Sequence, residues 1–259
     1  MRTTTRFKEL IQGPEILKLP CAHDVLTAVI AEQLGFQAVC IGGYGASASL
    51  LGRPDVGLMS MAETVEHTAR MCDAVGIPVF VDADTGYGDT VNMRRTIRSL
   101  ERAGAAGVFI EDQVFPKRCG HMAGKNVVER GEMLAKLHAA LDARHDQDFV
   151  IMGRTDALVV HGLDEALTRG RMMQEAGADM IFVETPLNRE HLEAIPKAFA
   201  GPHFTVYLEG GKIPTLPPHD FQSMGFTVLA YGVSALYAAA FAGRETLREI
   251  LETGESRQS

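Results

Sequence analysis

Ala103-Gly104-Ala105-Ala106-Gly107-Val108-Phe109-Ile110-Glu111-Asp112 sets the reading of the whole chain. An amphipathic stretch, Val91–Arg102, runs into a glycine. A short apolar run follows, and it ends in two acids. A glycine just past a helix readily takes the conformation that closes it, and a run that is apolar at every position suits a parallel strand buried on both faces. The unit recurs as Leu34–Ile41, Val75–Val81, Ala176–Val183 and Met224–Leu229. Further amphipathic stretches, Glu129–Arg144 and Leu163–Glu175, carry apolar residues three and four apart. Apolar runs at Leu19–Ala22, Phe149–Met152 and Phe204–Leu208 bring the total to eight strand–helix units. Eight alternating units without a linker predict an α/β fold, a single closed (β/α)8 barrel of the TIM type spanning residues 1–259. A doubly wound open sheet is the alternative. It would normally carry a glycine fingerprint at its first strand–helix turn, and none is present.

The composition agrees with such a core. Of 259 residues, 46% are hydrophobic and 22% charged, which excludes a disordered chain and a small disulfide-stapled module. Lys and Arg number 25 against 33 Asp and Glu, a net charge of −8. An acidic chain without a basic run is a poor partner for nucleic acid or an anionic membrane. Cys21, Cys40, Cys72 and Cys119 are scattered with no CxxC pair, which argues against zinc and disulfides and for a reducing cytoplasm. Met1–Lys8 lacks the apolar core of a signal peptide. Phe221–Gly243 carries no charge and could span a bilayer by length. Gly225, Thr227, Gly232, Ser234 and two tyrosines interrupt it, so a buried strand followed by a buried helix is the better reading.

Catalytic groups in a barrel sit where strands run into the following loops. Here those ends are acidic: Asp82-Ala83-Asp84, Glu111-Asp112-Gln113, Glu184 and Glu209-Gly210-Gly211, with Arg154-Thr155-Asp156 on the fifth strand. Any one acid could cap a helix or pair with an arginine. Together they would repel one another at one mouth unless a cation sat among them, and oxygen-only ligands favour Mg2+ or Mn2+. Alternation puts Asp82 and Asp84 on the same inward side. Between the fourth strand and its helix lies Phe115-Pro116-Lys117-Arg118-Cys119-Gly120-His121-Met122-Ala123-Gly124-Lys125. It could be a plain surface loop. A thiol among Lys117, Arg118 and His121 instead predicts a lowered pKa, and residues 113–128 read as a mobile lid over an anionic small molecule.

Asp82-Ala83-Asp84, Glu111-Asp112-Gln113, Lys117-Arg118-Cys119-Gly120-His121 and Arg154-Thr155-Asp156 resemble the isocitrate lyase / phosphoenolpyruvate mutase superfamily from about residue 6 to about residue 250. The loop resembles its lyase branch, which includes 2-methylisocitrate lyase, 2,3-dimethylmalate lyase and the petal death protein. The resemblance implies a metal at the mouth held by Asp82 and Asp84, with Asp55 in the same acidic site and Glu111 in the metal's water shell. It implies Arg154 on the substrate carboxylate, Glu184 ordering the far side, and backbone N–H groups of Gly43 and Tyr44 facing a 2-oxo acid. Gly42, Gly120, His121 and Glu209 would line the substrate, with Lys117 and His121 beside Cys119 in the catalytic set. The implied reaction is cleavage of a 2-hydroxy dicarboxylate to a 2-oxo acid and a carboxylic acid, the released carbanion taking a proton from Cys119.

The chain departs from the lyase pattern at three places. Gly42 stands where serine is common, Val206 where asparagine is common, and Cys40 where a tyrosine is often found. These make one end of the pocket less polar. Alternatives within the scaffold are an oxaloacetate decarboxylase or hydrolase and a carboxyphosphonoenolpyruvate or phosphoenolpyruvate phosphonomutase-like enzyme. Outside it stands a catalytically silent scaffold. The family pattern also implies a homo-oligomer, dimer or tetramer, with an exchanged eighth helix. The short tail Glu252–Ser259 weakens that expectation.

Overall fold

The computed structural model describes residues 1–256. Each apolar run becomes a strand: β1 (Leu17–Pro20), β2 (Val39–Ile41), β3 (Val79–Asp82), β4 (Gly107–Glu111), β5 (Val150–Thr155), β6 (Met180–Val183), β7 (His203–Tyr207) and β8 (Val228–Tyr231). All neighbours are parallel, in the order β1-β8-β7-β6-β5-β4-β3-β2. The ring closes between β1 and β2 through one bridge, Cys21 to Cys40, where Ala22 N donates to Cys40 O at 2.8 Å. The eight-stranded barrel read from the sequence is therefore the fold. The sequence placed β5 at Phe149–Met152. The strand runs on through Gly153, Arg154 and Thr155 because its ladders with β4 and β6 continue under polar side chains.

Helices among the described residues are α1 (Thr3–Ile11), α2 (Val25–Gln33), α3 (Gly43–Ala46), α4 (Met61–Ala74), α5 (Thr90–Arg102), α6 (Arg130–Ala143), α7 (Ala157–His161), α8 (Leu163–Glu175), α9 (Arg189–Ala198), α10 (Pro218–Met224) and α11 (Ser234–Thr253). A π-helical turn, Ser47–Leu51, follows α3. Local sequence explains several starts. Asp24 accepts from Thr27 N at the head of α2, and Ser60 and Glu63 form a reciprocal capping box at the head of α4.

Two apolar layers hold the ring. Strand residues of one parity meet the surrounding helices, with Met71, Ile97, Leu100 and Leu137 among the buried side chains. Those of the other parity fill the barrel, where α1 closes the floor with Phe7 and Ile11. Phe7 stacks on Phe80 at 4.9 Å, and Phe182 packs on Phe204 at 4.8 Å. With the floor filled, polar groups collect at the other end, where the strands finish. The uncharged stretch Phe221–Gly243 divides into the end of α10, β8 and the start of α11. No helix of the described residues is long and apolar enough to cross a membrane. The last residues of the tail, 257–259, lie outside the described part.

Candidate active site

Strand ends β3 to β6 deliver the charged side chains to one place. Asp82 closes β3; its Oδ2 accepts from Gly43 N and its Oδ1 from Asp84 N, each at 3.0 Å. A side chain at Gly43 would press on the charged groups. A Cβ would come within 2.8 Å of Lys117 Nζ and 3.0 Å of Asp82 Oδ2. Its N–H, expected from the sequence to face substrate, is committed to Asp82 instead. The turn after β3 holds Asp84 and Tyr87 at positive φ, 49° and 59°, and Thr185 after β6 is at 57°. Non-glycine residues pay for that backbone, and such strain tends to gather at functional sites.

The sequence predicts that these acids need a cation. Side chains supply the counter-charge. Lys117 Nζ lies 2.7 Å from Asp55 Oδ1 and 2.6 Å from Asp84 Oδ1, with its side chain only 2% exposed. Burial opposes its charge, yet Asp84, Asp82, Glu111 and Asp55 together hold Lys117 well above the usual lysine range. Arg154, on β5, plays the same part for the next group. Its Nε is 3.0 Å from Asp156 Oδ2, and its Nη2 is 3.2 Å from Glu111 Oε2 and 3.3 Å from Glu184 Oε2. The guanidinium also lies over the Phe182 ring at 5.5 Å.

Among the described residues, no three His, Cys, Asp or Glu side chains converge as a ligand set. The donor chemistry nonetheless fits a hard divalent cation. Asp55, Asp82, Asp84 and Glu111 offer only oxygen, all buried at this mouth. Glu111 Oε1 is buried with no hydrogen-bond partner. Burial pushes the Glu111 carboxyl well up against the pull of Arg154 and Lys117, which marks a place short of positive charge.

The loop after β4 lies closed over this mouth, and two buried ammonium groups fasten it. Lys117 is one. Lys125, which the sequence reading did not single out, donates to Asp156 Oδ1 at 2.8 Å and to Gly120 O. Thr185 Oγ1 also donates to Gly120 O at 3.0 Å. Gln113 bonds both ways with the backbone of Arg118, at 2.9 Å each. The anchors of this loop are thus polar ones. A Cβ on Gly120 would meet Glu184 at 2.4 Å, so only glycine lets the loop descend this far.

Cys119 faces the cavity, but not as the sequence led us to expect. Burial, with Asp55 and Glu184 adding, pushes its thiol up rather than down. The cations beside it in sequence are spent elsewhere: Lys117 on Asp55 and Asp84, Arg118 on Ala123 O. His121 Nε2 is 3.6 Å from Glu184, and burial lowers its pKa despite that acid. A protonated thiol beside a neutral imidazole can donate a proton better than it can attack.

These groups surround a cavity of about 260 Å3. Asp55, Asp82, Cys119, His121, Arg154 and Glu184 line one side of it. Cys21, Cys40, Val206, Leu208 and Ala230 line the other. Gly42, Gly43, Tyr44, Gly120 and Glu209 border it as well, so the cavity gathers most of the residues nominated from sequence. Asp84, Glu111 and Lys117 stand behind it, in the ion pairs already given. Glu209 sits on the rim, where it accepts from Ser234 Oγ. Cys21, which carried no site signal in the sequence, lines the cavity. Tyr237, on α11, also borders it; its only sequence signal was an aromatic interrupting an uncharged run.

The comparisons with known proteins agree with this arrangement. Residues 7–251 match the family model described as phosphoenolpyruvate phosphomutase. The chain is 44% identical to 2,3-dimethylmalate lyase of Eubacterium barkeri over 92% of its own length and 83% of that protein's. It is also similar to the structure of oxaloacetate acetylhydrolase with the inhibitor 3,3-difluorooxalacetate: TM-score 0.95, 32% identity, covering 99% of this chain and 89% of that one. A phosphonopyruvate hydrolase complex with oxalate and Mg2+ superposes at TM-score 0.90 and 31% identity, covering 100% of this chain and 90% of the other.

Proposed function

The chain belongs to the phosphoenolpyruvate mutase/isocitrate lyase superfamily and is a carbon–carbon lyase of it; on that premise we propose that it cleaves a substituted malate, with Mg2+ or Mn2+, into a 2-oxo acid and a carboxylic acid. The observation that carries this reading is the two-sided cavity. Arg154 and a protonated Cys119 line one wall, and Cys21, Cys40, Val206 and Ala230 line the other. A 2-hydroxy dicarboxylate with an apolar arm matches both walls.

Asp82, Asp84, Asp55 and Glu111 would hold the metal, the ion present in the phosphonopyruvate hydrolase complex. Bound there, it supplies electrostatic stabilisation of charge on the 2-oxo product. Arg154 binds a substrate carboxylate, and Glu184 keeps Arg154 and His121 in place. As the substrate's hydroxyl proton passes to a base and the carbon–carbon bond breaks, the bonding pair stays on the departing carboxylic acid as a carbanion, which takes its proton from Cys119. Residues 113–128 act as a lid. Lys117 and Lys125 release their acids when it opens, which would expose the loop to protease in the free enzyme more than in one holding a 2-oxo acid.

The helix α11 buries none of its residues and exposes Phe241, Leu247 and Leu251. Leu26 and Ile30 on α2 and Leu34 just past its end are exposed at a spacing of four, which makes one stripe. These faces support a homo-oligomer in which α11 is laid against a second copy. All four cysteines are free, in keeping with a reducing cytoplasm.

The test is a screen of 2-hydroxy dicarboxylates with Mg2+, in which 2-oxo acid release is coupled to a dehydrogenase. Release from an alkylated malate is the expected result. Likeness to oxaloacetate acetylhydrolase favours a second reading, hydrolytic cleavage of oxaloacetate at the same site. Faster turnover of oxaloacetate than of every malate in the screen would put that reading first.

A further inference from the structure

The helix α11 buries none of its residues, yet its first turn is fixed to the mouth at two points. Ser234 Oγ donates to Glu209, and the Tyr237 hydroxyl lies 3.3 Å from that of Tyr44. The two rings meet edge-on, 6.3 Å apart. Tyr44 in turn follows Gly43, whose N–H is held by Asp82. The position of Tyr237 is thereby tied through three residues to the charged wall. The pairing is tight enough to matter chemically: Tyr237, with burial second, pushes the Tyr44 hydroxyl up to about 12. Tyr237 and Val233 border the cavity together with Val206, Leu208, Ala230 and Gly232.

We propose that Tyr237 is a specificity-determining residue: its ring closes the far end of the apolar half of the cavity and sets the length of the arm a substrate can carry. This rests on the reading that the substrate has such an arm. The geometry suits a stop. A phenol is large and has only two side-chain torsions, and the Tyr44 contact fixes where its tip lies. Its other face meets solvent, the residue being 46% exposed. Removing the ring therefore opens the cavity outward without emptying the barrel core.

The experiment uses the full-length enzyme with malates bearing a C3 methyl, propyl or pentyl arm, and measures 2-oxo acid release. In Tyr237→Ala we expect the pentyl-to-methyl ratio of kcat/KM to rise at least tenfold, carried mainly by KM. Each methylene newly buried contributes up to about fourfold. Tyr237→Phe keeps the wall and should leave the ratio within about twofold. If Tyr237→Ala is insoluble, Tyr237→Leu, which shortens the wall but keeps it apolar, is scored in the same way. A wild type that turns over none of the malates removes the substrate reading and this proposal with it. A wild type that turns over the methyl compound, with an unchanged ratio in the alanine or leucine variant, overturns this proposal alone. An equal shift in Tyr237→Phe also overturns it, because the hydroxyl pairing and not the ring would then be the determinant.

Discussion

The half of the barrel mouth built by β3 to β6 and the half built by β7, β8, β1 and β2 come from the same repeated unit and hold opposite chemistry. In the first, each strand brings a charged side chain to the mouth, and two cations pair most of the acids: Lys117 between Asp55 and Asp84, Arg154 among Glu111, Asp156 and Glu184. In the second, the corresponding wall is Val206, Ala230, Cys21 and Cys40. The fold is indifferent to this difference, because the ladders are backbone and the floor beneath both halves is the same phenylalanine cluster. A buried charge network fixes what is bound and how. An apolar wall carries no partners to satisfy, so it can admit arms of different size. On the proposed reading, one half positions the reacting carboxylates and the other chooses among substrates.

Chelation is the most severe way to break the charged half. Excess EDTA should abolish turnover, and Mg2+ or Mn2+ should restore it; full turnover in EDTA would sink the metal assignment. Arg154→Met comes next. It leaves Glu111, Asp156 and Glu184 buried without their cation, and breaking a buried pair in this way costs about 3–5 kcal/mol. We expect that loss in urea unfolding and, separately, at least about a thirtyfold loss in kcat/KM, since losing one partner of a buried charge pair with the substrate carboxylate costs about 2–5 kcal/mol of binding. A variant as stable as the wild type would show that the three acids are neutral and need no partner.

Cys119→Ser tests the proton donor. The hydroxyl is a far weaker acid than the thiol, and a placed acid contributes about 10²–10⁴-fold, so kcat should fall at least about a hundredfold with KM little changed. A matching rise in KM would instead give Cys119 a binding role. The apolar half gives the smallest and most discriminating change. Val206→Asn restores a hydrogen-bonding group to that wall, and the ratio of kcat/KM for methylisocitrate over an alkylated malate should rise about tenfold, in the range one polar contact contributes to discrimination. A wild type that already prefers methylisocitrate would remove the distinction between the two halves.

Much of this was legible in the chain. The repeat of glycine and apolar run identified the strands because burial on both faces forces an apolar residue at every position. The acids at the strand ends stood out because a buried charge is costly and is rarely present without a task. The Lys-Arg-Cys-Gly-His loop was visible as a loop. Its state was misread. Adjacent cations suggested an acidic thiol, whereas folding spent Lys117 on two aspartates more than 30 residues away and left Cys119 raised by burial. Tyr237 carried almost no signal, because its role depends on where α11 begins relative to α3.

By itself the sequence determined the barrel, the list of ionisable groups near its mouth and the apolar departures at Gly42, Cys40 and Val206. The first two follow from local pattern: the period of burial, the residue type at each strand end, the glycine that closes each helix; the departures are read against the family pattern that the chain resembles. Only the tertiary structure decided which charge pairs with which, that Lys117 supplies the counter-charge the acids require, and that the first turn of α11 walls the cavity. Electrostatic energy depends on distance through space and on the water removed from between the charges, and neither quantity is written in the order of residues along a chain.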